Sequence, residues 1–171
     1  RIGLLFYVQQ AGRKCFSSLR TLPFFHRFQL KRGDESEILD FVAEKVAQID
    51  EKKNLFDTIR VDTMREIGAN KICALLGRLE PKDVVDLYCL DKYGFNIIDN
   101  IPNAMRKDGG VEPASLAYIL SQYSPSQLPD HLLQPITVED IASFVDRLKK
   151  QLALRSYEEA QALQEDNDVN D

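Results

Sequence analysis

Histidine is scarce in this chain, with only His26 and His131 among 171 residues, so a histidine-based zinc site or catalytic triad has little material to draw on. The three cysteines, Cys15, Cys73 and Cys89, are odd in number and lack metal-ligand spacing, which excludes a disulfide framework and fits plain packing in a reducing cytoplasm. No apolar run approaches the roughly 18 residues of a membrane span. The opening RIGLLFYV is apolar, but it has one basic residue before it, no suitable cleavage site and a basic stretch after it, so it is not read as a signal peptide. Repeats are absent, and so is low-complexity sequence outside the acidic end. With 44% hydrophobic and 29% charged residues, the composition is that of a globular domain able to bury a sizeable core, with or without a helical extension.

What is present is unevenly placed. From Arg1 to Gly33 there are seven cations (Arg1, Arg13, Lys14, Arg20, Arg27, Lys31 and Arg32) and no acid, while Tyr157 to Asp171 holds six acids and no base. The basic end suits either a phosphate- or RNA-binding surface or the solvated face of a strand hairpin. The acidic end is expected to be a disordered, solubilising tail.

The chain is organised around Asp62 to Leu90. Met64, Ile67, Ile72, Leu75, Leu76 and Leu79 recur at helical spacing, with Asp62 as the expected N-cap. Pro81 stands where a second helix begins, and Val84, Val85, Leu87, Tyr88 and Leu90 give it a buried side. Lys71 and Arg78, seven residues apart, project from nearly one face, and Asp83 and Asp86 lie one turn apart on the next helix. The expected result is a tight helical hairpin in which two bases meet two acids.

Around it, residues 2–10 suit a helix, or a buried strand that periodicity cannot exclude. Phe24 to Leu30 and Glu37 to Val42 read as a β-hairpin across KRGDES, and Thr58 to Val61 as a third strand of the same sheet. Residues 44–56 carry little that must be buried and are expected to be a polar connection. Asp40 interrupts an apolar strand, which costs stability unless it faces water or charge. Beyond the hairpin, a helix starts near Asp99, RKDGG turns on Gly109 and Gly110, Pro113 begins a helix to Tyr123, and Thr137 caps a terminal helix towards Leu163. The fold class is α+β, with residues 1–62 a partial sheet domain, 63–157 a helical domain and 158–171 the acidic tail.

The pattern K-x-x-A-x-x-x-R followed by K-D-x-x-D-L-Y, at Lys71, Ala74, Arg78, Lys82, Asp83, Asp86, Leu87 and Tyr88, resembles the AbiEii/AbiGii toxin family of the nucleotidyltransferase superfamily. The likeness extends upstream through FHRFQL and ILDFV and downstream to RKDGG, about residues 20–122. It implies a nucleotidyltransferase-type sheet and a toxin of a toxin–antitoxin (abortive infection) system that moves a nucleotide from a nucleoside triphosphate (NTP) to RNA, tRNA included, with Mg2+. It also implies a cognate antitoxin as partner. By the same resemblance Asp40, Lys71 and Asp83 are the catalytic residues, Asp40 is the metal ligand on a central strand, and Lys71, Arg78 and Asp86 bind the substrate. From the residues alone Asp40 could equally face water by alternation, and Arg78 could bridge to Asp83 or Asp86. The family's first motif, a Gly-Ser turn with a D-x-D-like pair of metal ligands, is found nowhere in the sequence. The expectation is therefore an amino-terminally truncated member or a degenerate relative, inactive in either case as these 171 residues alone. The competing expectation is a non-catalytic helical module that binds protein or nucleic acid.

Overall fold

The computed structural model describes residues 14–43, 46, 48–130, 132 and 134–168, so the reading of residues 2–10 lies outside the described residues. Two compact units divide the chain, residues 1–46 and 47–171. In the first, β1 (Lys14–Leu22), β2 (Phe25–Arg32) and β3 (Glu35–Val42) form an antiparallel sheet in that order. The turn between β2 and β3 is shorter than the six residues of KRGDES. Arg32 pairs with Glu35 across Gly33 and Asp34, and Gly33 has φ of +61°, the conformation that glycine gives most easily at the first position of a two-residue hairpin loop.

β1 was not anticipated. Its alternation is broken by a bulge between Ser18 and Arg20, and Ser17, Ser18, Arg20 and Thr21 dilute the apolar signal that marks a strand. A second correction concerns Ile59–Val61, expected as the third strand of this sheet. It is β5 of a separate two-stranded ribbon with β4 (Asn54–Phe56), and both lie in the second unit. The sheet-to-helix boundary expected at residue 62 is thus displaced from the boundary between the units at 46.

Among the described residues five helices follow: α1 (Met64–Gly77), α2 (Pro81–Lys92), α3 (Ile97–Met105), α4 (Pro113–Ser121) and α5 (Val138–Asp168). The class is α+β, a small antiparallel sheet portion followed by helices. Each start has a chemical cause. Thr63, one residue after the expected Asp62, caps α1 by accepting the Glu66 N–H at 3.1 Å. Pro81 and Pro113 occupy first-turn positions where a missing N–H costs nothing. Asn96 rather than Asp99 caps α3. Thr137 and Asp140 cap α5 reciprocally: the Asp140 N–H donates to the Thr137 hydroxyl at 3.1 Å, and the Thr137 N–H donates back to the carboxylate at 2.9 Å.

The apolar faces so aligned meet in one core that includes Ile72, Leu75, Val84, Leu87, Ile101, Leu116, Leu120, Ile141, Val145, Leu148 and Leu152. Each fully buried side chain of this size contributes about 1.5–3 kcal/mol of transfer free energy. Tyr88 of α2 meets Phe144 of α5 edge-on, with ring centroids 5.6 Å apart. The acidic stretch expected to be disordered continues α5 as helix to Asp168. Its Glu, Gln and Ala residues are strong helix formers, and Arg155 reaches Glu159 one turn on at 2.9 Å.

Gly109 and Gly110 do not take left-handed φ, contrary to the reason expected for them; Gly110 instead lies against Leu76 and Asp108, which a Cβ would meet at 3.2 and 3.3 Å. Gly68, inside α1, is required more strictly, because a Cβ there would overlap the Phe95 ring. Gly68→Ala should accordingly destabilise the protein by about 1–3 kcal/mol through overpacking. Helix propensity alone predicts a gain of about 1 kcal/mol. Urea unfolding decides the sign, and increased stability would mean that Phe95 moves aside freely.

Candidate functional site

The turn between α1 and α2 is built by charge as well as by apolar contact. Arg78 follows the last residue of α1 and Asp83 lies in the first turn of α2, so each charge sits at the helix end whose dipole favours it. Leu79 reverses the chain between them with φ of +44°. The Arg78 guanidinium then grips Asp83 with two parallel bonds, Nε to Oδ2 at 2.7 Å and Nη2 to Oδ1 at 2.8 Å. Lys71 comes from two turns earlier on α1. Its Nζ lies 3.2 Å from Asp83 Oδ1 and 2.5 Å from Asp86 Oδ2.

The four residues differ in exposure, and that separates their roles. Asp83 is wholly buried, Lys71 keeps 25% of its side chain exposed, and Arg78 and Asp86 each keep 47%. Burial pushes the Asp83 carboxyl up, but the hydrogen bonds and charge of Arg78 and Lys71 outweigh it and hold it below the usual carboxylate range. Burial likewise works against the Lys71 ammonium, and Asp86 and Asp83 outweigh it, leaving Lys71 raised. Arg78 is raised chiefly by its bond to Asp83. In this arrangement Asp83 fixes two cations from below while Lys71 and Arg78 retain an open side.

Asp40 belongs to the first unit. It lies on β3, at an edge of the sheet as described and not on a central strand, and it takes Arg27 of β2 in two bonds of 2.7 Å. Lys71, Arg78, Asp83 and Asp86 are thus brought together, and Asp40 stands in its own setting.

A second buried carboxylate escaped the sequence reading. Glu66, in the first turn of α1, is 1% exposed and pairs with Lys107, itself 4% exposed. Its Oε2 accepts the backbone N–H groups of Ile49 and Asp50 at 2.8 and 3.2 Å and Lys53 Nζ at 3.1 Å. Burial would raise Glu66, but Lys107, the Asp50 N–H, Lys53 and the Ile49 N–H together lower it to about 2. Asp50 in turn accepts from Thr63 and Arg65, and Lys53 reaches Asp62 at 2.7 Å. The connection 44–56, expected to have little to bury, therefore contributes Ile49 and the Lys53 side chain to the interior. One signal was available: Thr63 and Glu66 have the spacing of a capping box.

Among the described residues no group of three or more His, Cys, Asp or Glu side chains is placed to hold a metal ion. Asp40, the carboxylate expected to hold metal, is committed to Arg27, and Asp83 is committed to Arg78 and Lys71. The donor set among the described residues does not fit a divalent ion. A cleft of about 250 Å³ lies elsewhere, lined by residues that include Asp91, Phe95, Asn96, Ile97, Arg147 and Gln151, and it contains none of the hairpin cations. No described helix is long and apolar enough to cross a membrane.

Residues 26–164 match the family described as nucleotidyl transferase AbiEii toxin, type IV toxin–antitoxin (TA) system. The chain belongs to that family. No curated protein and no solved structure matches it. The AbiEii match encloses both buried-carboxylate clusters, from Ile49 to Lys107, and assigns the chain to nucleotidyltransferase toxins whose systems include an antitoxin and whose chemistry uses a nucleotide.

Glu66→Gln should cost about 3–5 kcal/mol at pH 7, since Lys107 is left buried with no carboxylate opposite. The folded pKa of about 2 lies below the ordinary 4.5, so the contribution of Glu66 is complete above about pH 4.5 and fades as pH falls towards 2. Urea unfolding from pH 7 to pH 2 tests both statements. A Gln variant that loses as much stability on acidification as the wild type would place the acid sensitivity in other groups.

Proposed function

We propose that Lys71 and Arg78 bind the phosphates of a nucleoside triphosphate and that RNA, with tRNA as the first candidate, is the acceptor of the nucleotide. The observation that carries this reading is the Lys71–Asp83–Arg78 cluster, in which a wholly buried carboxylate holds two partly exposed cations side by side within a chain of the AbiEii family. Arg78 and Asp83 have a sufficient structural reason to pair, since they close the turn between two helices at favoured ends. Lys71 has none of that kind: it lies mid-helix, and its ammonium is drawn towards the rim by Asp86.

In nucleotidyl transfer the acceptor hydroxyl attacks the α-phosphorus and pyrophosphate leaves, so the protein must offset charge on the phosphate oxygens and align the two ends. Lys71 would contact those oxygens by exchanging Asp86 for phosphate, Arg78 would add a planar pair of donors, and Asp83 would position both. Asp40 is the remaining residue proposed for catalysis and metal binding, and it would first have to leave Arg27. Magnesium is expected in the full reaction, in the cytoplasm and under control of a cognate antitoxin. The described residues do not fit it. For the same reason we propose that the 171-residue chain binds nucleotide without transferring it. The absence of a metal-ligand group among the described residues also favours a second reading, a helical module that binds protein or nucleic acid without catalysis.

Lys71→Ala should weaken NTP binding by about tenfold, one lost charge-assisted contact. The fold should remain, because Arg78 still satisfies Asp83. Calorimetric titration with ATP, GTP, CTP and UTP, beside incorporation of labelled nucleotide into bulk tRNA with magnesium, tests the reading. Equal NTP binding by wild type and Lys71→Ala would remove Lys71 from the site, and strong incorporation by the wild-type chain would show that the acting carboxylates have been misplaced.

A further inference from the structure

The register of β1 against β2 contains an arrangement that stability alone does not explain. Up to Ser18, which pairs with Phe28, the ladder is regular. Continued without interruption, it would set Leu19 opposite Arg27 and Arg20 opposite His26. The bulge shifts the pairing by one residue, so that Arg20 stands directly opposite Arg27 and joins its face. Like charges in a direct cross-strand pair are destabilising. The bulge therefore brings together two cations that the regular ladder would have kept on opposite faces.

Lys31 lies on the same face of β2, four residues from Arg27 and about 13 Å along the strand. Across the described residues of that face, Arg20, Arg27 and Lys31 oppose a single carboxylate, Asp40, whereas the other face sets Glu35 and Glu37 beside Arg32. Arg27 is held in place, its guanidinium 5.5 Å from the centroid of the Phe25 ring and bonded to Asp40, while Arg20 and Lys31 are exposed. Gln29, between Arg27 and Lys31, is tied to Ser36 at 2.8 Å. The face thus carries a row of cations in a chain whose net charge is −5.

We propose that this face of β1–β2, carrying Arg20, Arg27 and Lys31, binds the phosphate backbone of the RNA acceptor. The assignment rests on the reading of RNA as acceptor given above. A row of cations about 13 Å long is matched by consecutive phosphates of one strand, and such contacts fix register without reading bases. Asp40 has a second consequence in this setting: it is the local competitor of phosphate for Arg27.

The test is fluorescence anisotropy of labelled bulk tRNA with the whole chain across a salt series, with NTP titration run beside it. The double variant Arg20→Ser, Lys31→Ser should bind tRNA at least tenfold more weakly and show a slope of log affinity against log salt shallower by about 1–2. Its NTP binding should be unchanged. Arg20→Lys, Lys31→Arg should restore both affinity and slope, which excludes misfolding as the cause. Asp40→Asn should tighten tRNA binding, because Arg27 is released. Wild-type protein that binds no tRNA overturns the acceptor reading and this surface with it. Wild-type binding that survives the double substitution with its slope intact overturns the surface alone. Displacement of tRNA by polyglutamate at equal charge concentration would assign the face to an acidic peptide and overturn the RNA assignment.

Discussion

A carboxylate taken wholly out of water, that of Asp83, constrains the helical unit more than any other group. An ionised acid in such a place is tolerated only when each oxygen keeps at least one close partner. Arg78 and Lys71 supply those partners from the end and the middle of the preceding helix, so the crossing of α1 and α2 must keep three side chains in register at once. A hairpin held by apolar contact alone could slide by a fraction of a turn at small cost. Here the same slide would break a two-bonded guanidinium–carboxylate pair.

Glu66 does for the start of α1 what Asp83 does for its end. The two buried acids bracket the helix, one tied to the Ile49–Lys53 segment and to Lys107 beyond α3, the other to the turn before α2. Lys71 lies between these anchors. Its ammonium thus projects from a helix fixed at both ends, the condition under which a single cation can hold a phosphate at a set distance. Neither cluster need add net stability relative to apolar replacements; what both impose is uniqueness of position.

The helical hairpin was legible in the sequence because its signals coincide. Apolar spacing, Pro81 and oppositely charged pairs all point to one geometry, and the same residues carry the family resemblance. The Glu66 cluster was hidden because lysines are ordinarily solvated, and nothing local marks Lys53 or Lys107 as the two that enter the interior. Asp62 also competed with Thr63 for the role of cap and obscured the Thr63–Glu66 spacing. β1 was missed for a different reason: one inserted residue at Leu19 destroys the period-2 pattern that a strand is recognised by. The separate ribbon of β4 and β5 depends on which strand pairs with which, information held in hydrogen bonds between segments and not in any one of them. Asp40 was conspicuous as a charge in an apolar run, yet its cross-strand partner depends on the register of β2 against β3.

The terminal helix joins two thermodynamic regimes in one continuous backbone. α5 has 31 residues and is about 46 Å long, but the last of its residues in the core is Leu152, less than halfway along. Up to that point its hydrogen bonds open only when the core opens. Beyond it the helix follows the statistics of a peptide in water, where a free segment of this length is marginal and each residue added gains little. Nucleation, the costly step for an isolated helix, has already been completed by the packed half, so the acidic half propagates from a template. Its helicity is consequently inherited from the core and is lost from the far end inwards.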